Sequence, residues 1–478
     1  MARMDPRLRL VGLAWLLAAA VPASAAAQWQ APVRVSEPIT NVGPPGAGFS
    51  APGGLPLLVG ADGRMTVVWG FVSGSAYYEG AIDGIKLAFR SPRRSWSPER
   101  TLGVHADSRV LRDSIGVSSV LSDVVSARRS ETLAATPFAR DDTRRVVRVY
   151  AMRNTGVPYW SQRVWRGDVA GRVVLGANTR GEAIAVWAGQ YRKRERDRVI
   201  VARRDVGERF EHVRSISREG ASDPVVAMMG RRIVVAWRRG SRIEARLAWR
   251  AGRRWSSVRT VGRVGVTARR LETQLAVAGG SDGRAVVAWF ARPAYVEGST
   301  SGPAVYRYAY RAPNAPFSPA VELERYRYGP SEFEAGAGAM RIDAALDSAG
   351  HPLIAWQGGA PDYRTRLADA GHVATVSSAG PTSFDDLAVG PDGRAAVSWT
   401  EISATDVLRA ASGARVAVRS GAGMPFGAPE QIVPEHPTLT YDFSTRLAFT
   451  GDGTLHAVWT EDPGKQDGDA VYAADRAG

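Results

Sequence analysis

The sequence predicts an all-β chain folded as a ring of four-stranded antiparallel units, a β-propeller, and three observations carry that expectation. Seven times a turn containing glycine or an acid leads into a short apolar run ending in tryptophan, at Trp69, Trp187, Trp237, Trp289, Trp356, Trp399 and Trp459. After each tryptophan comes a second apolar run, in most units closed by arginine, then a polar turn and an aromatic that opens a final segment. The two ends of the chain each carry one piece of an incomplete unit. A repeat of turn, strand, strand and hairpin at this scale is a propeller blade, because one such sheet cannot bury its two faces alone.

Taken in order, the first element is a leader. Arg3, Arg7 and Arg9 precede an apolar stretch from Leu10 to Val21 and small residues up to Ala25, Ala26 and Ala27. This reads as a signal peptide over residues 1–27, too short to span a bilayer, so export to the periplasm, cell surface or medium is expected, with residues 28–478 forming one propeller domain. The segment around Trp29, QWQAPVRVS, reads as the second half of a unit, and the C-terminal VYAADRAG stops where such a half begins. Joined, they complete one blade and remove the open sheet edge at the seam.

The spacing between Trp69 and Trp187 is twice the usual one and hides a further unit. VVSARRSETLAAT supplies its first half, with Thr136 at the tryptophan register, and VVRVYAMR with Trp160 its second. That makes eight blades with a mean period of about 56 residues, seven blades with a long insertion being the alternative. The DGR turns at Asp62, Asp282 and Asp392 read as two-residue Asp-Gly hairpins. Tyr306, Tyr308 and Tyr310 match apolar positions of other units, Ile85, Leu87 and Phe89 among them, and so read as core, as do the seven tryptophans.

The second hairpin of each unit resembles the Asp-box of sialidase-like (BNR) propellers. Arg203-Arg204-Asp205-Val206-Gly207-Glu208-Arg209-Phe210 keeps the Asp, Gly and aromatic of that motif, and Ser91 to Ser97 keeps its Ser and Trp. The resemblance covers the repeat layout of nearly the whole mature chain and implies a propeller fold and export. Sialidases use an arginine trio, a Tyr/Glu nucleophile pair and an Asp acid/base; here only Phe89-Arg90-Ser91-Pro92 bears a loose similarity to an Arg-bearing motif, and no role transfers residue by residue.

Chemistry is sparse elsewhere. There is no cysteine, so neither disulfide nor thiolate metal site exists, and the six histidines show no zinc-ligand spacing. No P-loop or nucleophile elbow is present, and no cofactor is implied. The net charge of +15 concentrates between Arg180 and Arg270, which hold 24 basic and 9 acidic residues. Such a field draws polyanions, although only Lys86, Lys193 and Lys465 are lysine, an arginine bias that also fits coding composition.

Acidic residues recur just ahead of the first strand of most units: Asp123, Asp223, Glu272, Asp343, Asp385 with Asp386, and Asp442. They read either as a ring of carboxylates at one channel mouth or as Asx caps of the preceding turns. Tyr326 and Tyr328, in the segment ERYRYGPSEFE, lack counterparts in other units and read as exposed loop contacts. The longest connections are expected at Gly103 to Leu121, Pro293 to Pro303 and Arg325 to Gly338. The expectation is a monomeric, non-catalytic binding module for a glycan, an anionic polymer or a protein, with no intracellular nucleic-acid role and no membrane span. The alternative is a carbohydrate-active hydrolase with its site at the channel mouth.

Overall fold

The computed structural model describes residues 29–36, 57–60, 62–71, 84–92, 94–102, 123–128, 131–141, 144–153, 158–166, 169–190, 196–266, 271–294, 302–328, 341–359, 363–377, 382–402, 411–433, 445–461 and 470–476. Residues 1–27, expected to be a leader, and Asp442 therefore lie outside the described residues, as do most of the connections expected to be longest.

The described strands form eight antiparallel sheets. Blade 1 comprises Leu57–Val59, Met65–Phe71, Gly84–Arg90 and Arg100–Leu102, and blade 2 comprises Asp123–Arg128, Glu131–Asp141, Arg144–Arg153 and Pro158–Arg166. Blade 3 is Val169–Ala177, Ala183–Gly189, Arg198–Arg204 and Phe210–Ser215; blade 4 is Ala221–Met229, Arg232–Arg239 and Arg242–Trp249, edged by Arg254–Trp255 and Arg259–Arg263. Blade 5 is Leu271–Gly279, Ala285–Pro293, Gly302–Arg311 and Val321–Tyr328; blade 6 is Ile342–Leu346, Pro352–Gln357, Thr365–Asp369 and His372–Thr375. Blade 7 is Thr382–Val389, Ala395–Ile402, Ala411–Arg419 and Glu430–Val433. Blade 8 is Arg446–Phe449, Leu455–Glu461 and Ala470–Arg476, with Val33–Arg34 as its outer strand.

The first strand of each blade touches the first strand of the next, and Arg446–Phe449 of blade 8 touches Leu57–Val59 of blade 1, so the ring closes around a channel. At the seam Val33 pairs with Ala473 and Arg34 with Tyr472. Gln30 N–H donates to the Asp475 carbonyl at 2.8 Å and Val35 N–H to the Val471 carbonyl at 2.7 Å. The split blade is thus completed from both ends, and the edge that Ala470–Arg476 would otherwise leave open is paired.

The repeat is explained by packing between blades. Each sheet is covered on both faces by its neighbours, so a middle strand such as Ala183–Gly189 is buried along its whole length instead of alternating. Trp69, Trp187, Trp237, Trp289, Trp356, Trp399 and Trp459 are all essentially fully buried at the same register. Thr136 occupies that register in blade 2, opposite Arg148, as Trp69 stands opposite Lys86. Tyr306, Tyr308 and Tyr310 all join the packing between blades 5 and 6, in agreement with their alignment to apolar positions.

The DGR turns differ from expectation. They are three-residue loops: Gly60 N–H bonds the Arg64 carbonyl and Gly63 N–H the Gly60 carbonyl, with Gly63 at φ 73°. The same pair of bonds recurs at Gly280/Gly283, Gly390/Gly393 and Thr450/Gly453. Asp supplies an Asx bond to the N–H two residues on, and Gly takes the left-handed position of a bulged hairpin. The arginine of the motif reaches forward: Arg394 Nη1 donates to the Gly453 carbonyl of the next blade at 2.9 Å, and Arg284 likewise contacts the Ala349 carbonyl.

The arginine that closes the third strand reaches the opposite way. Arg204 holds Glu131 of the preceding blade with two bonds of 3.0 and 2.7 Å, Arg476 holds Glu430 with two of 2.7 Å, and Arg419 meets Asp369 at 2.6 Å and Asp347 at 3.1 Å. Arg90 forms the same type of pair with Asp475 across the seam. These are blade-to-blade clamps, and they account for part of the arginine excess without any ligand.

Candidate functional site at the channel mouth

Except for Asp442, which lies outside the described residues, the predicted acidic residues lie within the inner strands, not ahead of them, and those with described side chains fall into two groups. Asp123 opens the inner strand of blade 2; its side chain is not among the described ones. Asp223, at φ 53° in a bulged stretch of blade 4, accepts from Arg238 Nε at 3.0 Å and from Thr273 of blade 5 at 2.9 Å. Glu272 pairs with the buried Arg292 at 2.6 Å. Asp386 accepts from Leu447 N–H at 2.7 Å and from Arg446 Nη1 at 3.1 Å, both in blade 8. Blade 5 performs the same task with an amide, Gln274 accepting from Ile342 N–H of blade 6 at 3.1 Å. Asp223, Glu272, Gln274 and Asp386 are therefore occupied, and Asp223, Gln274 and Asp386 join one inner strand to the next.

Asp343 and Asp385 are not used up in that way. Asp343, half-buried on the inner strand of blade 6, accepts from the N–H of Ala344 at 2.7 Å. Asp385 is the extra residue of a bulge between Phe384 and Asp386 and is buried. Its Oδ2 accepts from Thr400 Oγ1 at 2.8 Å, while its buried Oδ1 has no hydrogen-bond donor and stands 4.0 Å from Arg341 Nη1. Burial pushes the Asp343 carboxyl up to about 7, helped by the neighbouring Asp386 carboxylate and opposed by the Ala344 N–H and Arg446. Burial likewise pushes Asp385 up to about 7, against the opposing pull of Arg341, Thr400, Arg446 and the Thr445 N–H. Both groups thus change charge near neutrality, within one cluster that also contains Arg341, Arg446 and Asp386.

Sequence reasoning placed Tyr326 and Tyr328 in an exposed loop, and the structure corrects this. Both belong to the outer strand of blade 5, Val321–Tyr328, because the alternating ELERYRY pattern continues the sheet. The Tyr326 ring is half-buried and stacks on Tyr306 with centroids 6.4 Å apart; the Tyr328 side chain is not among the described ones. Tyr306 also faces Glu324 across the sheet, yet this Tyr/Glu pair is packing. Tyr306 is fully buried; burial first, then Tyr326 and Glu324, push its hydroxyl well above the ordinary range. Glu324 is engaged by Trp356 Nε1 at 2.6 Å and Gly359 N–H at 3.1 Å.

A second polar cluster lies at the seam, where a cavity of about 690 Å³ is lined by Arg90, Thr450, His456 and Asp475. His456 Nδ1 is 2.7 Å from Asp475 Oδ1 and its Nε2 is 3.1 Å from Thr450 Oγ1, which in turn donates to Asp452 at 2.6 Å. Burial alone would raise the Asp475 carboxyl, but bonds from His456 and Arg90 outweigh it and hold it at about 2. Among the described residues no group of three or more His, Asp or Glu is placed to hold a metal ion, and no helix is long and apolar enough to cross a membrane.

The architecture has counterparts among solved structures. The Dos1 propeller superposes with a TM-score of 0.50 at 9% identity, covering 94% of this chain and 95% of that one. The chain is a β-propeller. The propeller domain of the Trilobed protease from Pyrococcus furiosus matches with a TM-score of 0.41 at 7% identity over 80% of this chain and 98% of that one. The polysaccharide lyase Uly1 matches with 0.41 at 11% identity over 74% and 89%. At such identities the likeness speaks for the fold alone; these neighbours include both enzymes and a protein described only as a propeller. No family model matches this propeller, and no curated protein matches it.

Proposed function

We propose that this propeller is an exported, non-catalytic binding module that takes a carbohydrate at the mouth of its channel, in the quadrant of blades 6 to 8. The observation that carries the reading is the state of the two inner-strand acids. Asp343, partly exposed on the inner strand, accepts one backbone N–H among the described residues, and behind it Asp385 holds a buried oxygen with no donor among them. Buried polar atoms are normally satisfied, and sugar hydroxyls are donors of the kind this pair lacks. Arg341 and Arg446 flank the acids and supply donors to the ring and hydroxyl oxygens of the same ligand.

A glycan array probed with residues 28–478 tests the proposal, with Asp343→Asn/Asp385→Asn as the comparison. Retention of a neutral glycan that falls at least tenfold in the variant supports it; equal retention by both proteins rejects it. A second reading, a carbohydrate-active hydrolase of sialidase-like or other type, draws support from the two carboxyls held near 7, where a general acid or base works at neutral pH. Released products, read by mass spectrometry in the same experiment, would favour it.

A further inference from the structure

The junction between blades 3 and 4 departs from the rest of the ring. Two residues before each buried tryptophan, the partner on the third strand is Ala88, Ala202, Ala309, Ala368, Ala417 or Ala474, all buried. In blade 2 it is Tyr150. In blade 4 that partner is Arg246, opposite Val235. Two residues on, where blades 1, 3, 7 and 8 place their clamp arginine, blade 4 carries Ala248 opposite Ile233. Blade 4 has therefore lost the residue that binds an acid of the preceding blade and gained a half-buried guanidinium facing that same blade.

The aromatic that opens the outer strand shows the consequence. In blades 1 and 7 the clamp arginine lies over it, Arg90 over Trp96 at 6.0 Å and Arg419 over Phe426 at 5.8 Å, and each arginine is neutralised by acids of the preceding blade. In blade 4 the aromatic is Trp255, and two guanidiniums flank it, Arg214 of blade 3 at 5.6 Å and Arg246 at 5.8 Å. Among the described residues neither has a carboxylate partner. Arg214 Nη2 donates to the Gly252 carbonyl at 2.6 Å, and Arg246 donates to the carbonyls of Ser256 at 2.7 Å and Ile216 at 3.0 Å. The nearby Asp205 is shared by Arg203 at 3.3 Å and Arg253 at 2.7 Å. The arginines repel: burial lowers the affinity of Arg214 and of Arg246 for their protons, and the positive charges of Arg203 and Arg214 respectively lower it further.

We propose that the surface patch formed by Arg214, Trp255 and Arg246 is a binding site for an oxyanion, carboxylate or sulfate, borne by an acidic glycan. The anion supplies the negative charge that Asp475 and Asp347 give the clamps of blades 1 and 7, since blade 3 carries Arg203 and Asn178 at the corresponding positions. Backbone carbonyls hold the two planar guanidiniums against the ring, and the N–H groups they leave over present a fork to an incoming oxyanion. The choice of a glycan as bearer rests on the export proposed above; the site itself is separate from the channel mouth.

The test is binding of polygalacturonate and of dextran sulfate to residues 28–478 at about 0.15 M salt, where exposed charges are largely screened. Arg246→Ala restores the residue of six other blades and should keep the thermal transition; Arg214→Gln removes the other arm. Each should weaken binding of at least one probe by about tenfold, the scale of one charge-assisted hydrogen bond. Arg242→Gln, an exposed arginine at the start of the same strand, should change it less than twofold. Failure of both probes to bind, unaltered binding by Arg246→Ala, or an equal loss in Arg242→Gln would overturn the site. Tighter binding of single-stranded DNA, with the same dependence on Arg246, would overturn the glycan assignment.

Discussion

Removing Glu131 should destabilise the ring far more than removing Glu131 and Arg204 together. Arg204 and Glu131 are 1% and 5% exposed, joined by two short bonds, and Arg204 Nε is further held by the Glu208 carbonyl at 2.8 Å. Glu131→Leu strands the guanidinium between blades 2 and 3, and breaking one side of a buried pair costs about 3–5 kcal/mol. For about 450 folded residues at ~2.1 cal/mol/K each, the unfolding entropy is ~0.9 kcal/mol/K, which converts that cost into a drop of about 3–5 °C in Tm. Arg204→Met/Glu131→Leu removes both charges and fills the space with apolar atoms, so its Tm should fall within about 1 °C of wild type or above it. Scanning calorimetry at pH 7 and one scan rate measures both. A double variant as unstable as the single one would refute the idea that the stranded charge is the cost and show instead that the clamp's attraction dominates.

Gly262, in the outer edge of blade 4, would place a Cβ 2.7 and 2.8 Å from the Trp289 ring, so Gly262→Ala should cost about 1–3 kcal/mol and lower Tm by a few degrees. Asp475 has a folded-state pKa of about 2, below its unfolded value of about 3.9, so its share of stability is present above pH ~4 and lost as pH falls towards 2. Asp475→Asn should therefore lower Tm at pH 7 while differing little from wild type near pH 2. Asp385 has the opposite sign: with a folded value of about 7, the native state binds the extra proton between about 4 and 7, so stability declines as pH rises through that window. Asp385→Asn should gain on wild type in Tm from pH 5 to pH 8, and a constant difference across that range would contradict the raised value.

How much was legible in the sequence follows from what each residue depends on. Trp289 declares its role locally, since a bulky apolar residue at the end of every second strand packs between blades whichever neighbour it has. Thr136 was recoverable because its flanks keep the register when the tryptophan is gone. Tyr326 was misplaced because its unit has no aligned counterpart, and only the ladder to Ala304 shows that the strand continues. Among the acids, the chain alone does not distinguish Asp386, which holds Leu447 N–H of the next blade, from Asp385 one position earlier, whose Oδ1 has no donor. A bulge turns adjacent side chains to different surroundings, and a bulge is a property of the pairing.

The order of strands within a blade and the joining of both ends in one of them could be read from the sequence itself, because periodic burial writes its period into the chain, whereas eight blades and seven with an insertion both fitted it and the sheets decided between them. The tertiary structure alone decided which charges are spent and which remain. Arg90, Arg204, Arg419 and Arg476 meet their acids in the preceding blade, whereas among the described residues Arg214 and Arg246 meet carbonyls and a tryptophan ring. Partners separated by 73 positions, as Arg204 and Glu131 are, leave no periodic trace, since an ion pair depends on two points in space and not on a repeated pattern along the chain.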